Sequence, residues 1–138
     1  MMNRDTWARA DDKRPIQVNG RAASSTDPRT WAPFDDVKDG PGDGYGIFMG
    51  QGLGVIDIDH CLTDSGLVKA WGRDVLRGIK EPVVFVEVSK SGQGLHVFII
   101  AAEAPGKRER MGDGAVERYT RDRFVVTTGK RRDIKEFI

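Results

Sequence analysis

Tyr45-Gly-Ile-Phe-Met-Gly-Gln-Gly-Leu-Gly-Val-Ile-Asp-Ile-Asp59 is two apolar runs joined by Gly50-Gln51-Gly52, and the pattern predicts a tight β-hairpin leading into the interior. The second run changes character at its end, where Asp57 and Asp59 stand at alternate positions among β-branched residues. Side chains alternate across a strand, so the two carboxylates share one face while Ile56 and Ile58 enter the core. Two like charges so placed on a half-buried strand repel, and a cation such as Mg²⁺ or Mn²⁺ would neutralise them. A solvated face at a sheet edge is the other reading. His60 falls on the opposite face if the strand stays regular, which makes it a structural residue, and Cys61 reads as a buried thiol.

Upstream of this stretch, residues 1–12 are mostly polar and predict a loosely held, flexible N-terminal arm ahead of one domain over 13–138. Arg14-Pro-Ile-Gln-Val18 reads as an edge strand, because Pro15 cannot donate to a ladder, and Asn19-Gly20 turns it. Thr30 is a candidate N-cap for a short helix from Trp31 to about Val37, with Pro33 in its first turn. Asp39-Gly-Pro-Gly-Asp-Gly44 ends that helix.

Downstream, Asp64 or Ser65 is placed to cap a helix whose Leu67, Val68, Trp71, Val75, Leu76 and Ile79 form one apolar stripe. Val83–Val88 and Leu95–Ala101 flank Ser89-Lys-Ser-Gly-Gln-Gly94 and predict a second hairpin. That glycine-rich turn delivers His96 onto an apolar strand; its amides suit an anion, and an imidazole beside them suits a phosphate oxygen. A plain turn beside a hydrogen-bonded core histidine is the alternative. Ala115–Tyr119 and Arg123–Thr127 predict a third hairpin, on which Glu117 is either a third functional acid or half of a cross-strand Glu–Arg pair.

The chain has 138 residues, 38% hydrophobic and 31% charged, and 17 glycines, which together suit one soluble globular domain rich in tight turns. A net charge of +1 leaves any nucleic-acid surface to local clustering of Lys and Arg. One cysteine excludes an internal disulfide and a cysteine-rich zinc site. With no apolar run near the roughly 20 residues that span a bilayer and no signal-peptide core, a cytoplasmic protein is expected.

The order Asp57-x-Asp59, then Ser91-Gly-x-Gly-x-His96, then a hydrophobic residue and Glu117 resembles the three motifs of archaeo-eukaryotic primases. Within them the likeness is to the primase-polymerase branch of phage and plasmid replication proteins. Gly20-Arg-Ala-Ala-Ser-Ser-Thr-Asp-Pro-Arg-Thr-Trp-Ala-Pro-Phe34 resembles the upstream segment of that branch, and Arg123-Phe-Val-Val-Thr-Thr-Gly129 the strand after its third motif. The likeness covers roughly residues 13–130. Members of that branch usually continue into further helical structure and sometimes a helicase, whereas this chain stops nine residues after Gly129, as a minimal or truncated domain would. Lys13-Arg14-Pro15 stands where relatives have a Lys-rich stretch.

The resemblance implies an α/β (α+β) fold with an RRM-like antiparallel sheet and flanking helices. It implies that Asp57, Asp59 and Glu117 hold two Mg²⁺ or Mn²⁺ ions, and that His96 with Ser91 contacts the phosphates of an incoming nucleoside triphosphate. Arg123 and Lys130 are further candidate contacts to phosphate or template, on charge and position in the chain. The activity implied is a DNA primase/DNA polymerase working on a single-stranded DNA template, with a replicative helicase as a possible partner, and in the host-cell cytoplasm if a phage encodes it. The same acids and histidine would also suit a metal-dependent nuclease, and a non-catalytic single-strand-binding accessory protein of replication is a third reading.

Overall fold

The computed structural model describes residues 4–137. In chain order the elements are β1 (Trp7–Asp11), β2 (Arg14–Ile16), α1 (Phe34–Val37), β3 (Gly44–Phe48), β4 (Leu53–Asp59), α2 (Ala70–Arg77), β5 (Val83–Val88), β6 (Leu95–Ile100), β7 (Lys107–Met111), β8 (Gly114–Tyr119), β9 (Phe124–Val126) and β10 (Arg131–Arg132), with 3-10 turns at Pro28–Thr30 and Ile134–Glu136. The class is α+β. The strands form two antiparallel sheets, ordered β2-β1-β3-β9 and β10-β5-β6-β4-β8-β7. The chain divides accordingly into two compact units, one of residues up to Met49 with Asp122–Thr127, the other of Gly50–Arg121 with the residues from Thr128 on.

In the first unit, the segment expected as a loose arm contains β1, an inner strand paired with both β2 and β3. Trp7, Ala8, Arg9 and Ala10 are all buried. Trp7 packs edge-on against Phe34 at 4.9 Å. The Arg9 guanidinium donates to the carbonyls of Val37, Gly40 and Pro41 at 2.9, 2.9 and 2.7 Å, which satisfies a buried cation with backbone dipoles. That requirement for three carbonyls gives Asp39–Gly44 its course. β2 is the edge strand expected of it, with Pro15 opposite Ala10.

The helix expected from Trp31 begins only at Phe34, with Pro33 at its N-cap, because a residue before proline is disfavoured in the helical region. The Thr30 hydroxyl instead donates to the Asp27 carbonyl at 2.7 Å. Trp31 stacks on Phe48 at 4.6 Å, and Phe48 packs on Phe124 at 4.9 Å.

In the second unit the helix also starts later than expected. Thr63 closes a turn with Gly66 and Leu67, so Asp64 and Ser65 lie in that turn, Leu67 is exposed and α2 opens at Ala70. Leu76 packs with Ile56, Ile58, Val86, Leu95, Val97 and Ile99 into one core, joined by the partly buried Trp71, Val75 and Ile79. Phe137 joins the same core, although the last residues read as a charged tail. Among the described residues, no helix is long and apolar enough to cross a membrane.

Two predicted pairings are corrected. Tyr45–Met49 and Leu53–Asp59 are both strands, but β3 pairs with β1 and β9 while β4 pairs with β6 and β8. Gly50, Gln51 and Gly52 all have positive φ, at 129°, 55° and 92°, so this link carries the chain from one sheet to the other instead of closing a hairpin. Ala115–Tyr119 likewise does not pair with 123–127. β8 pairs with β4 and with β7, a strand of Lys-Arg-Glu-Arg-Met, and β9 joins the other sheet. The predicted hairpin of β5 and β6 is present, with Glu87 opposite His96.

A candidate nucleotidyl-transfer face

The registers of five successive strand pairs line up one row across the second sheet. Arg131 on β10 is opposite Glu87 on β5, Glu87 opposite His96 on β6, His96 opposite Asp57 on β4, Asp57 opposite Glu117 on β8, and Glu117 opposite Arg108 on β7. Directly opposed residues share a face, so six ionisable side chains leave one side of the sheet. Ile56, Ile58, Val97 and Leu95 leave the other and carry the core against α2. Asp59 lies two residues beyond Asp57 on the same strand and therefore on the same face, opposite Ala115. The geometry thus brings Asp57, Glu117 and His96 side by side with Asp59 next along.

Beyond the exposed Arg131, accessibility climbs towards β7, from a Glu87 side chain 1% accessible to an Arg108 side chain 65% accessible. Glu87 is the acid that sequence reasoning passed over. Its carboxylate lies 3.0 Å from His96 Nδ1 and accepts from the N–H groups of Thr128 at 3.1 Å and Gly129 at 3.3 Å. The available signal was a single carboxylate inside Val-Val-Phe-Val-Glu-Val. At the far end of the row, Arg108 Nη1 lies 3.4 Å from Glu117 Oε1. Arg131 sits with its guanidinium 3.7 Å over the Phe85 ring, which itself stacks on Phe98 at 4.4 Å.

The other predicted residues fall into different roles. Ser91 is in the β5–β6 turn, where its hydroxyl accepts from Gln93 N–H at 3.2 Å and lies 3.1 Å from that of Ser89. Gly94 closes the turn, and a Cβ there would meet the Ile58 carbonyl oxygen at 2.7 Å; the glycine lets His96 enter β6 tight against β4. Lys130 is exposed, and its carbonyl accepts from Val88 N–H at 2.9 Å. Arg123 belongs to the first unit, just before β9, so the register of the second sheet does not gather it.

His60 is corrected. The strand ends at Asp59, His60 has φ of 60°, and its Nδ1 lies 3.1 Å from Asp59 Oδ2, so strand alternation does not govern it. Cys61 is fully buried as expected, and burial pushes its thiol up to about 12.

Among the described residues, no three His, Cys, Asp or Glu side chains are drawn together as a closed metal cluster. The acids on the face, Asp57, Asp59 and Glu117, are oxygen donors, His96 beside Asp57 is the one nitrogen donor in the row, and the nearby thiol is protonated and buried within the core. Oxygen donors without sulfur fit a hard divalent cation such as Mg²⁺ or Mn²⁺ and not a soft one. The ladder itself brings two of the acids opposite each other.

A family model described as "Bifunctional DNA primase/polymerase, N-terminal" matches residues 6–136. The protein named "DNA Primase-polymerase" of Nitratiruptor phage NrS-1 is 35% identical over 142 residues, covering 91% of this chain and 19% of the phage protein. The chain therefore spans about a fifth of that relative's length. With the family model matching residues 6–136 and the phage relative aligned over 91% of the chain, the chain belongs to the bifunctional DNA primase/polymerase family, whose N-terminal region it matches.

Proposed function

We propose that the polar face of the second sheet catalyses nucleotidyl transfer from nucleoside triphosphates on a single-stranded DNA template, synthesising or extending primers. The observation that carries this reading is the position of Asp57, flanked in the ladder by Glu117 on one side and His96 on the other. The printed name of the phage relative supports the same activity. The strand order β5-β6-β4-β8, with α2 joining β4 to β5, supports the RRM-like fold: the two inner strands are the first and third of that unit. β7 then stands where such a fold has its second helix.

In this reading Asp57, Asp59 and Glu117 hold Mg²⁺ or Mn²⁺. Bound there, the ions supply Lewis-acid stabilisation at phosphorus and activation of the attacking 3′-hydroxyl. His96 donates to a phosphate oxygen of the incoming nucleotide, and Ser91 orders the turn that delivers it. Arg108 holds Glu117 in place from the neighbouring strand. Lys130 and Arg123 supply positive charge to phosphate or to the template backbone, contacts that carry affinity without reading sequence.

The test is incorporation of labelled nucleotides on primed and unprimed single-stranded DNA with Mg²⁺ or Mn²⁺, beside an Asp57→Asn/Asp59→Asn control. Metal-dependent products absent from the control support the reading. Degradation of DNA without nucleotides, or no product from folded protein with either metal, sinks it for this chain.

A further inference from the structure

We propose that Glu87 is the positioning residue for His96, holding the imidazole with Nδ1 protonated so that Nε2 is the nitrogen offered to a phosphate. The inference rests on the proposed nucleotidyl-transfer reading and adds to it a residue from outside the three motifs. It begins with an anomaly: a carboxylate 1% exposed in an otherwise apolar strand. Burying that group is costly unless hydrogen bonds replace its water. Thr128 N–H and Gly129 N–H donate to it, and His96 Nδ1 lies 3.0 Å from Oε2.

An ionised carboxylate only accepts, so its partner nitrogen must carry the proton. Nε2 is then the ring atom left for a ligand, and because a phosphate oxygen only accepts, the ring that binds it carries a proton on Nε2 as well as on Nδ1. The two amide donors fix the carboxylate, and the carboxylate fixes the ring. Thr128 and Gly129 therefore act on the histidine through Glu87, across strands far apart in the chain.

Glu87→Gln tests this with little change in shape. In either orientation the amide sets its own N–H₂ against a donor: Gly129 N–H in one, His96 and Thr128 N–H in the other. Only His60 and His96 are present, so ¹⁵N NMR of the imidazoles, with a His60→Gln variant for assignment, reads the protonation of His96 directly. The expected result is a protonated Nδ1 in the native chain, its loss or exchange in Glu87→Gln, and a rise of about tenfold in KM for the nucleotide, the size of one charge-assisted hydrogen bond. Affinity for single-stranded DNA should be unchanged.

An unprotonated Nδ1 in the native chain overturns the proposal, and this reading needs no variant to fold. An unaltered nucleotide KM in folded Glu87→Gln overturns it as well. If the native chain incorporates no nucleotide, the activity proposed above fails; the NMR and the binding of a nucleoside triphosphate alone still decide the role of Glu87.

Discussion

Asp57 and Glu117 are directly opposite each other in the β4–β8 ladder, two carboxylates on one face of one sheet. Like charges in that position destabilise a sheet, by roughly 0.2–1 kcal/mol for a pair. Asp57→Asn is therefore expected to raise the melting temperature of the metal-free protein slightly. The same variant should lose the rise in melting temperature that Mg²⁺ or Mn²⁺ gives the native chain, because a ligand of the native state stabilises by mass action. A variant that melts lower and still responds to metal would show that Asp57 is a structural acid.

Gly94→Ala should cost about 1–3 kcal/mol, the range for forcing extra volume into a packed site, because its Cβ would meet the Ile58 carbonyl oxygen at 2.7 Å. Urea unfolding measures the loss. A variant of native stability would show that the β5–β6 turn moves freely off β4.

The turn between β7 and β8 is pinned by Asp113, whose carboxylate accepts from Lys69 Nζ at 2.6 Å and from Trp71 Nε1 at 3.0 Å. These two bonds hold its carboxyl below the ordinary value of 3.8. A lowered folded pKa contributes stability that is present above the unfolded value and lost as pH falls through the folded one. Asp113→Asn should therefore melt below the native chain at pH 7, by a small, salt-screened amount, and the gap should close on acidification below about pH 3.8. Melting curves at pH 7 and pH 3 check the sign.

Cys61 should resist alkylation at pH 8 in the folded protein and react fully in denaturant. The thiolate is the reactive form, and burial places this thiol at about 12. Mass spectrometry after timed exposure to iodoacetamide separates the two. Fast labelling of native protein would mean that the core around Leu62, Val68 and Leu76 opens easily.

Strands with apolar composition were the readable part of the fold. Val83–Val88 has the bounds expected, and the Leu95 strand differs by one residue, because period and composition agree there. What failed was partnership: β3 and β4 adjoin in the chain but belong to different sheets. Local sequence reports a tight turn, whereas φ values at Gly50, Gln51 and Gly52 decide where the chain goes after it.

Charged inner and outer strands were also hidden. β1 reads as polar because Arg9 and Asp11 interrupt it, yet Arg9 is buried and paid for by three carbonyls brought from another part of the chain. On the functional face, Asp57, Asp59, His96 and Glu117 could be singled out because each is an anomaly in an apolar run. That His96 and Glu117 share the face of Asp57 and Asp59 follows only from register, and register is set by long-range pairing. Glu87 was passed over for the same reason: its significance lies in what stands opposite it.

β7 is one of the two outer strands of its sheet, and Lys107, Arg108, Glu109 and Arg110 are all exposed. An outer strand offers unpaired N–H and C=O groups to any passing chain, and charge is a common safeguard against that recruitment. Strand-to-strand stacking of neighbouring molecules through β7 would have to begin against mutual repulsion. Exchanging Lys107, Arg108 and Arg110 for threonine keeps the preference for extended backbone and removes the safeguard, so concentrated protein should turn cloudy where the native chain stays clear.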